Sequence, residues 1–142
     1  MKTVVVDTRS ISREWYVINA ADQTLGRLAS EAARVLMGKN KVAYSPNQDH
    51  GDNLIIINAD KVKLTGKKAD TKEYFRHSRY PGGGKTRSFK EQIAQDSTKV
   101  ITHAVRGMLS KNVLGRSIMR KLHVYSGTTH PHAAQQPKEL KF

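Results

Sequence analysis

Two compact apolar runs bracket a stretch of helical rhythm near the start of the chain. Trp15-Tyr-Val-Ile-Asn19 and Asn53-Leu-Ile-Ile-Ile-Asn58 are continuous aromatic and β-branched runs, the pattern of strands buried on both faces. Between them, over 24–37, Leu25, Leu28, Ala29, Ala32, Val35 and Leu36 recur every three or four residues, while Arg27, Glu31 and Arg34 take another face. That spacing predicts a helix, with capping oxygens from Asp22 or Thr24 and a stop at Gly38. Strand, helix, strand in that order implies a parallel crossover.

The rhythm then changes. Lys61, Lys63, Lys67 and Lys68 crowd around Val62 and Leu64 with Gly66 as a turn, and Lys72-Glu-Tyr-Phe-Arg76 reads as a short strand. Together they predict a basic hairpin over 60–76. Pro81-Gly-Gly-Gly84 sustains neither helix nor sheet and marks an exposed loop. Ser88-Phe-Lys-Glu91 fits a capping box that opens a short helix to Gln95. Ser97 can cap a further helix, with Val100, Ile101, Ala104, Val105 and Met108 inward and Lys99, His103 and Arg106 outward. Beyond it, Leu114, Ile118 and Leu122 share one stripe and Arg116 and Arg120 another. His123-Val-Tyr125 suits a last short strand, and the polar tail from Ser126 is expected to lie extended.

Charge changes this picture more than composition does. The 142 residues carry 25 Lys and Arg against 12 Asp and Glu, a formal net charge of +13. Residues 97–138 contain no carboxylate at all, yet hold Lys99, Arg106, Lys111, Arg116, Arg120, Lys121, Lys138 and four histidines. Such a field draws polyanions. The apolar spacing between the cations makes this a folded basic surface rather than a disordered basic tail. A chain of this length suits one domain, burying roughly 70 % of its unfolded surface without staples. Cysteine is absent, which excludes disulfides and thiolate metal sites and makes a reducing cytoplasm the default. The apolar run at 4–6 is too short for a leader core, and no later run approaches a membrane span. A soluble, unprocessed protein is expected.

Two catalytic readings compete with binding. Gly82-Gly-Gly-Lys85-Thr86 looks like the end of a phosphate loop, but the further glycine required stands at Arg79, and Thr86-Arg87 opens no helix convincingly. Asp49, His50 and Asp52 could suggest a metal-assisted nuclease. Near-consecutive ligands on a turn converge poorly on one ion, so turn and capping roles leading into the second strand are favoured. His130 and His132 are weak as a metal site and fit phosphate or base contacts better. No nucleophile elbow or paired catalytic carboxylates occur, so no enzyme is expected. A free-standing mRNA or protein regulator is a third alternative. Cations cluster instead at 34–41, 61–87 and 99–121, each cluster with a turn whose amides are free to meet phosphate. DNA-reading motifs are missing, as are the aromatic signatures of single-strand modules. Dispersed cations and glycine turns suit a folded RNA gripped by shape and phosphate positions.

The chain also resembles a known family, the bacterial form of large-subunit ribosomal protein L-thirteen. The matching pieces are Trp15-Tyr-Val-Ile-Asn-Ala20, Leu25-Gly-Arg-Leu-Ala-Ser30, Gly38-Lys-Asn-Lys-Val-Ala-Tyr-Ser-Pro46, Asp49-His-Gly-Asp52, Asn58-Ala-Asp-Lys-Val62, Tyr80-Pro-Gly-Gly83 and His132-Ala-Ala-Gln-Gln-Pro137. Most specific is Val105-Arg-Gly-Met-Leu109, continued by Leu114-Gly-Arg116 and Leu122-His-Val-Tyr-Ser-Gly127. Ser110 departs from the family's usual proline and could loosen the turn there; Arg79 and Gly84 depart around the glycine loop. The resemblance implies a single α/β domain over 1–142. It would be three-layered, α/β/α, around a small, mainly parallel four-stranded sheet, with basic loops and an extended C-terminal tail over 126–142. It also implies a cytoplasmic, structural rRNA-binding constituent of the large subunit, acting early in assembly and touching neighbouring ribosomal proteins. No cofactor, metal, small-molecule substrate, membrane or homo-oligomer is expected. Phosphate contacts are expected from Lys39 and Lys41, Lys67 and Lys68, Arg76, His77, Arg79 and Lys85, and from Arg106, Lys111, Arg116, Arg120 and Lys121.

Overall fold

A computed structural model of the chain describes residues 6–7 and 10–141; apart from Val6, the apolar run at 4–6 lies outside them. The two β-branched runs form strands β1 (Trp15–Asn19) and β2 (Asn53–Ile57), paired in parallel from Trp15 beside Asn53 to Asn19 beside Ile57. The expected helix joins them as α1 (Leu25–Met37). Its end follows from Gly38, whose φ of 75° is left-handed and whose N–H reaches back to Val35 O. At its start, Thr24 makes no side-chain cap; the Leu25 N–H donates instead to the Lys63 carbonyl, 2.9 Å away. Burial of Leu25, Leu28 and Leu36 contributes about 1.5–3 kcal/mol each.

That carbonyl explains why the hairpin expected over 60–76 does not form. Residue 63 is bound on both sides to the chain around Thr24, with its own N–H donating to Gln23 O. The lysine-rich segment is thus held at the mouth of α1, and Lys68–Thr71 makes one helical turn, α2. The hairpin is built one step later, from β3 (Glu73–His77) and β4 (Gly84–Ser88) in antiparallel register, with the glycine loop at its tip.

Helix α3 (Phe89–Met108) opens with the expected capping box between Ser88 and Glu91. The break expected before Ser97 appears as a kink at Asp96, φ −161° and ψ 95°. Asp96 is the cap, its Oδ1 accepting from Thr98 N (3.1 Å) and Thr98 Oγ1 (2.6 Å), while Ser97 is buried. Val100, Ile101 and Val105 face the core as expected, but Met108 is 44 % exposed. The helix stops there, and the extended backbone of Leu109 swings that residue inward instead. Helix α4 (Val113–Met119) follows, then β5 (Leu122–Val124), parallel to β2.

The tail does not remain extended. It makes a 3-10 turn at Ala133–Gln135 and returns as β6 (Lys138–Glu139), parallel to β1. The sheet order is β5-β2-β1-β6. Strand alternation puts Tyr16, Ile18, Leu54, Ile56, Leu122 and Val124 on one face, where α1 and α3 pack against it. Trp15, Ile55 and His123 point to the other face, and Ile55 is fully buried there, outside the helix-packed core. The third layer of this α/β domain is the chain after β5. His132 lies 5.1 Å from the Trp15 ring and 4.6 Å from His123, with its Nε2 2.8 Å from the Tyr125 hydroxyl. His132, expected to meet phosphate or a base, is therefore turned inward, since its ring closes this layer.

Candidate nucleic-acid interface

The thirteen residues expected to contact phosphate divide by what surrounds them. Two are directed inward. Lys41 Nζ donates to the Ser12 carbonyl (2.8 Å) and to Asp52 Oδ1 (2.6 Å), and its side chain is only 21 % exposed. Asp52 is fully buried, and its Oδ1 also accepts from the Glu14 N–H at 2.9 Å. Lys121, 10 % exposed, donates to Asp49 Oδ1 and to the Gly51 carbonyl (3.0 Å), with Arg13 Nη2 3.9 Å from the other Asp49 oxygen. Burial lowers the Lys121 pKa below the usual lysine value, and Asp49 works against that shift. Lys121 is buried and Lys41 partly so, and both ammonium groups are taken up by these internal partners rather than turned out to meet a phosphate.

These pairs also decide the role of Asp49 and Asp52, while His50 between them is buried with its Nε2 3.1 Å from Gln48 Oε1. The two carboxylates hold Arg13, Lys41, Lys121 and two backbone N–H groups. They fasten the start of β1 and the start of β5 to the loop before β2. Among the described residues, no group of three His, Cys, Asp or Glu could hold a metal. Gly82 to Thr86 runs into strand β4 rather than a helix, so no phosphate loop forms.

The other eleven residues lie at the surface. Lys39 is exposed just after the Gly38 turn, and Lys67 and Lys68 at the start of α2. On the hairpin, Arg76 sits directly opposite Lys85, and Arg79 stands at the tip with its N–H donating to His77 Nδ1 (2.9 Å). Arg106 lies in the last turn of α3, Lys111 in the turn that follows, Arg116 on α4 and Arg120 at its end. Arg116 and Arg120 are exposed while Ile118 is buried, as the two stripes predict. Among the described residues, none of the ten cations in this set has a carboxylate within 4.0 Å. Like charges directly across a strand pair, as at Arg76 and Lys85, destabilise unless an anion lies between them. The Ser110 turn is hydrogen-bonded: its Oγ donates to Asn112 Oδ1 (2.9 Å), the atom that caps α4 by accepting from Gly115 N.

The described residues contain no helix long and apolar enough to cross a membrane. The family model described as Ribosomal protein L13 matches residues 13–131. The chain belongs to that family. Relatives within it include the large ribosomal subunit protein uL13 of Lachnospira eligens, 56 % identical over the whole of both chains. Those of Pseudomonas aeruginosa and Chromohalobacter salexigens are each 52 % identical over 99 % of both chains. The family and its relatives are named as ribosomal proteins, which closes the nuclease alternative in agreement with the pairing of Asp49 and Asp52.

Sequence reasoning missed the inward turn of Lys41 and Lys121. The signal was present in the motif Asp49-His-Gly-Asp52, whose two acids stand among the basic clusters, but their partners are 11 and 72 residues away.

Proposed function

We propose that the protein is a structural constituent of the large ribosomal subunit that binds folded large-subunit rRNA early in assembly, with neighbouring subunit proteins as further partners. The contacts are Lys39, Lys67, Lys68, Arg76, His77, Arg79, Lys85, Arg106, Lys111, Arg116 and Arg120. Lys41 and Lys121 act from inside, fixing the loop that carries Lys39 and the junction after Arg120. The observation that carries this reading is the row of exposed cations with no carboxylate partner among the described residues. Neutralising phosphates releases counterions, so binding is steeply salt-dependent. The test is a gradient profile of cell lysate. Cosedimentation with large subunits through a high-salt wash is expected, and a position only among free proteins overturns the reading.

A further inference from the structure

The hairpin β3–β4 has two faces of different chemistry. Its register puts Tyr74, Arg76, Lys85 and Arg87 on one face, and Glu73, Phe75, His77 and Thr86 on the other, with Gly84 opposite His77. Tyr74 turns toward the body, its half-buried ring edge-on to His103 of α3 at 5.7 Å. The Phe75 face therefore looks away from the body, and Phe75 is 70 % exposed. A Cβ at position 84 would lie 3.3 Å from Phe75 Cε2, 3.5 Å from its Cζ and 3.6 Å from His77 Cδ2. The Phe75 ring thus lies against bare backbone, beside His77 at 6.3 Å between ring centres. At the tip, Tyr80 is 76 % exposed next to Arg79, which holds a left-handed φ of 70°.

These features weaken the hairpin itself. Glycine at the end of a strand offers no side chain to pack, a left-handed arginine is strained, and a Phe left 70 % exposed gains little from folding. Local rules broken together mark a functional surface. We infer that this face is a stacking platform for unpaired RNA bases, Phe75 taking one on its open ring face and Tyr80 a second at the tip. The inference rests on the rRNA reading above and deepens it.

The occupant follows from charge. Arg76, Lys85 and Arg87 on the opposite face and Arg79 at the tip have no carboxylate within 4.0 Å among the described residues. The hairpin's one acid, Glu73, sits at its base opposite Ser88. A partner must therefore offer a flat apolar face and dense negative charge within the width of two strands. An unpaired nucleotide in a folded RNA offers both. An apolar patch on a protein lacks the charge.

The test uses the full chain and large-subunit rRNA free of other proteins, with affinity measured across a salt series and nucleotide reactivity probed in the complex. Phe75→Ala and Phe75→Leu are each expected to weaken binding roughly 5- to 150-fold with the salt slope unchanged, while Phe75→Trp binds as the unaltered chain does. One unpaired nucleotide, protected by the unaltered chain, regains reactivity with Phe75→Leu. Arg76→Ala instead makes the slope shallower by about 0.7–0.9. Unchanged affinity with Phe75→Ala, or full affinity with Phe75→Leu, overturns the stacking role and leaves phosphate binding intact. Failure of the unaltered chain to bind the rRNA in a salt-dependent way overturns the rRNA reading itself.

Discussion

Around residues 49–52 positive charge is turned inward, whereas on the hairpin and along α3 and α4 it is turned outward without partners. In the first region Arg13, Lys41 and Lys121 meet Asp49 and Asp52 within a few ångströms. In the second, Arg76, Arg79, Lys85, Arg106, Arg116 and Arg120 stand at the surface. Arg120 and Lys121 are chain neighbours on opposite sides of this divide. The difference teaches that a basic residue's type and local spacing do not assign its role. What assigns it is whether the fold brings a carboxylate to it, and the acid-free surface is the one left needing an external anion.

The harshest way to break the inward region is at Gly51. A Cβ there would lie 1.6 Å from the Leu36 carbonyl oxygen, which belongs to α1 backbone and cannot move aside. Gly51→Ala is expected to cost more than about 4 kcal/mol, the range of severe overpacking, seen as loss of a cooperative thermal transition. A melting temperature within a few degrees of the unaltered chain would show that the junction is pliable. Asp52→Ala comes next. It leaves the Glu14 N–H and the Lys41 ammonium without their shared acceptor, and the cost is expected at about 3 kcal/mol, the low end for a broken buried pair, because Lys41 is 21 % exposed and keeps the Ser12 carbonyl; chemical denaturation reads it.

The chain neighbours sharpen the comparison directly. Lys121→Met is expected to lower stability by about 2–3 kcal/mol, less than for a fully buried pair because Asp49 is 16 % exposed and retains Arg13. Its salt slope for rRNA binding stays unchanged. Arg116→Ala with Arg120→Ala does the opposite: stability stays within about 0.5 kcal/mol, while the slope becomes shallower by roughly 1.5. Unchanged affinity and slope in that double variant would remove both arginines from the interface.

The parallel β1-α1-β2 unit, the capping box at Ser88 and the Arg116/Arg120 stripe were legible in the sequence, because each is set by spacing within one element. The hairpin was misplaced because Lys72-Glu-Tyr-Phe-Arg76 declares a strand but not its partner. The competing segment 62–64 was already bound at Thr24 through Lys63. The return of the tail was hidden for a related reason: β6 is two residues long and has no pattern of its own. At the candidate site, which residues are basic was plain and which are free was not, since Asp49 and Lys121 are 72 positions apart. The exposure of Phe75 was likewise invisible, because an aromatic in a strand-like run normally reads as core.

The gentlest test uses pH and reads a third place, the far face of the sheet. Burial, aided by the neighbouring His132, holds the His123 pKa below the ordinary histidine value of 6.5. The unfolded chain then binds more protons than the folded one as pH falls below 6.5, so stability drops over that window and is fully retained above it. Trp15, stacked on His123 at 5.5 Å, and Tyr125, bonded to His132, offer no carboxylate to reverse the sign. Asp96 acts in a lower window. Lys99 and the Thr98 hydroxyl hold its pKa down from 3.8 to about 2, so its stabilisation persists above 3.8 and is lost only as pH falls through that range. A melting series from pH 7.5 to 5 should therefore decline modestly in the unaltered chain, and His123→Phe should flatten it. A decline that survives His123→Phe would place the sensitivity elsewhere and weaken the assignment of this face as a closed layer around His123.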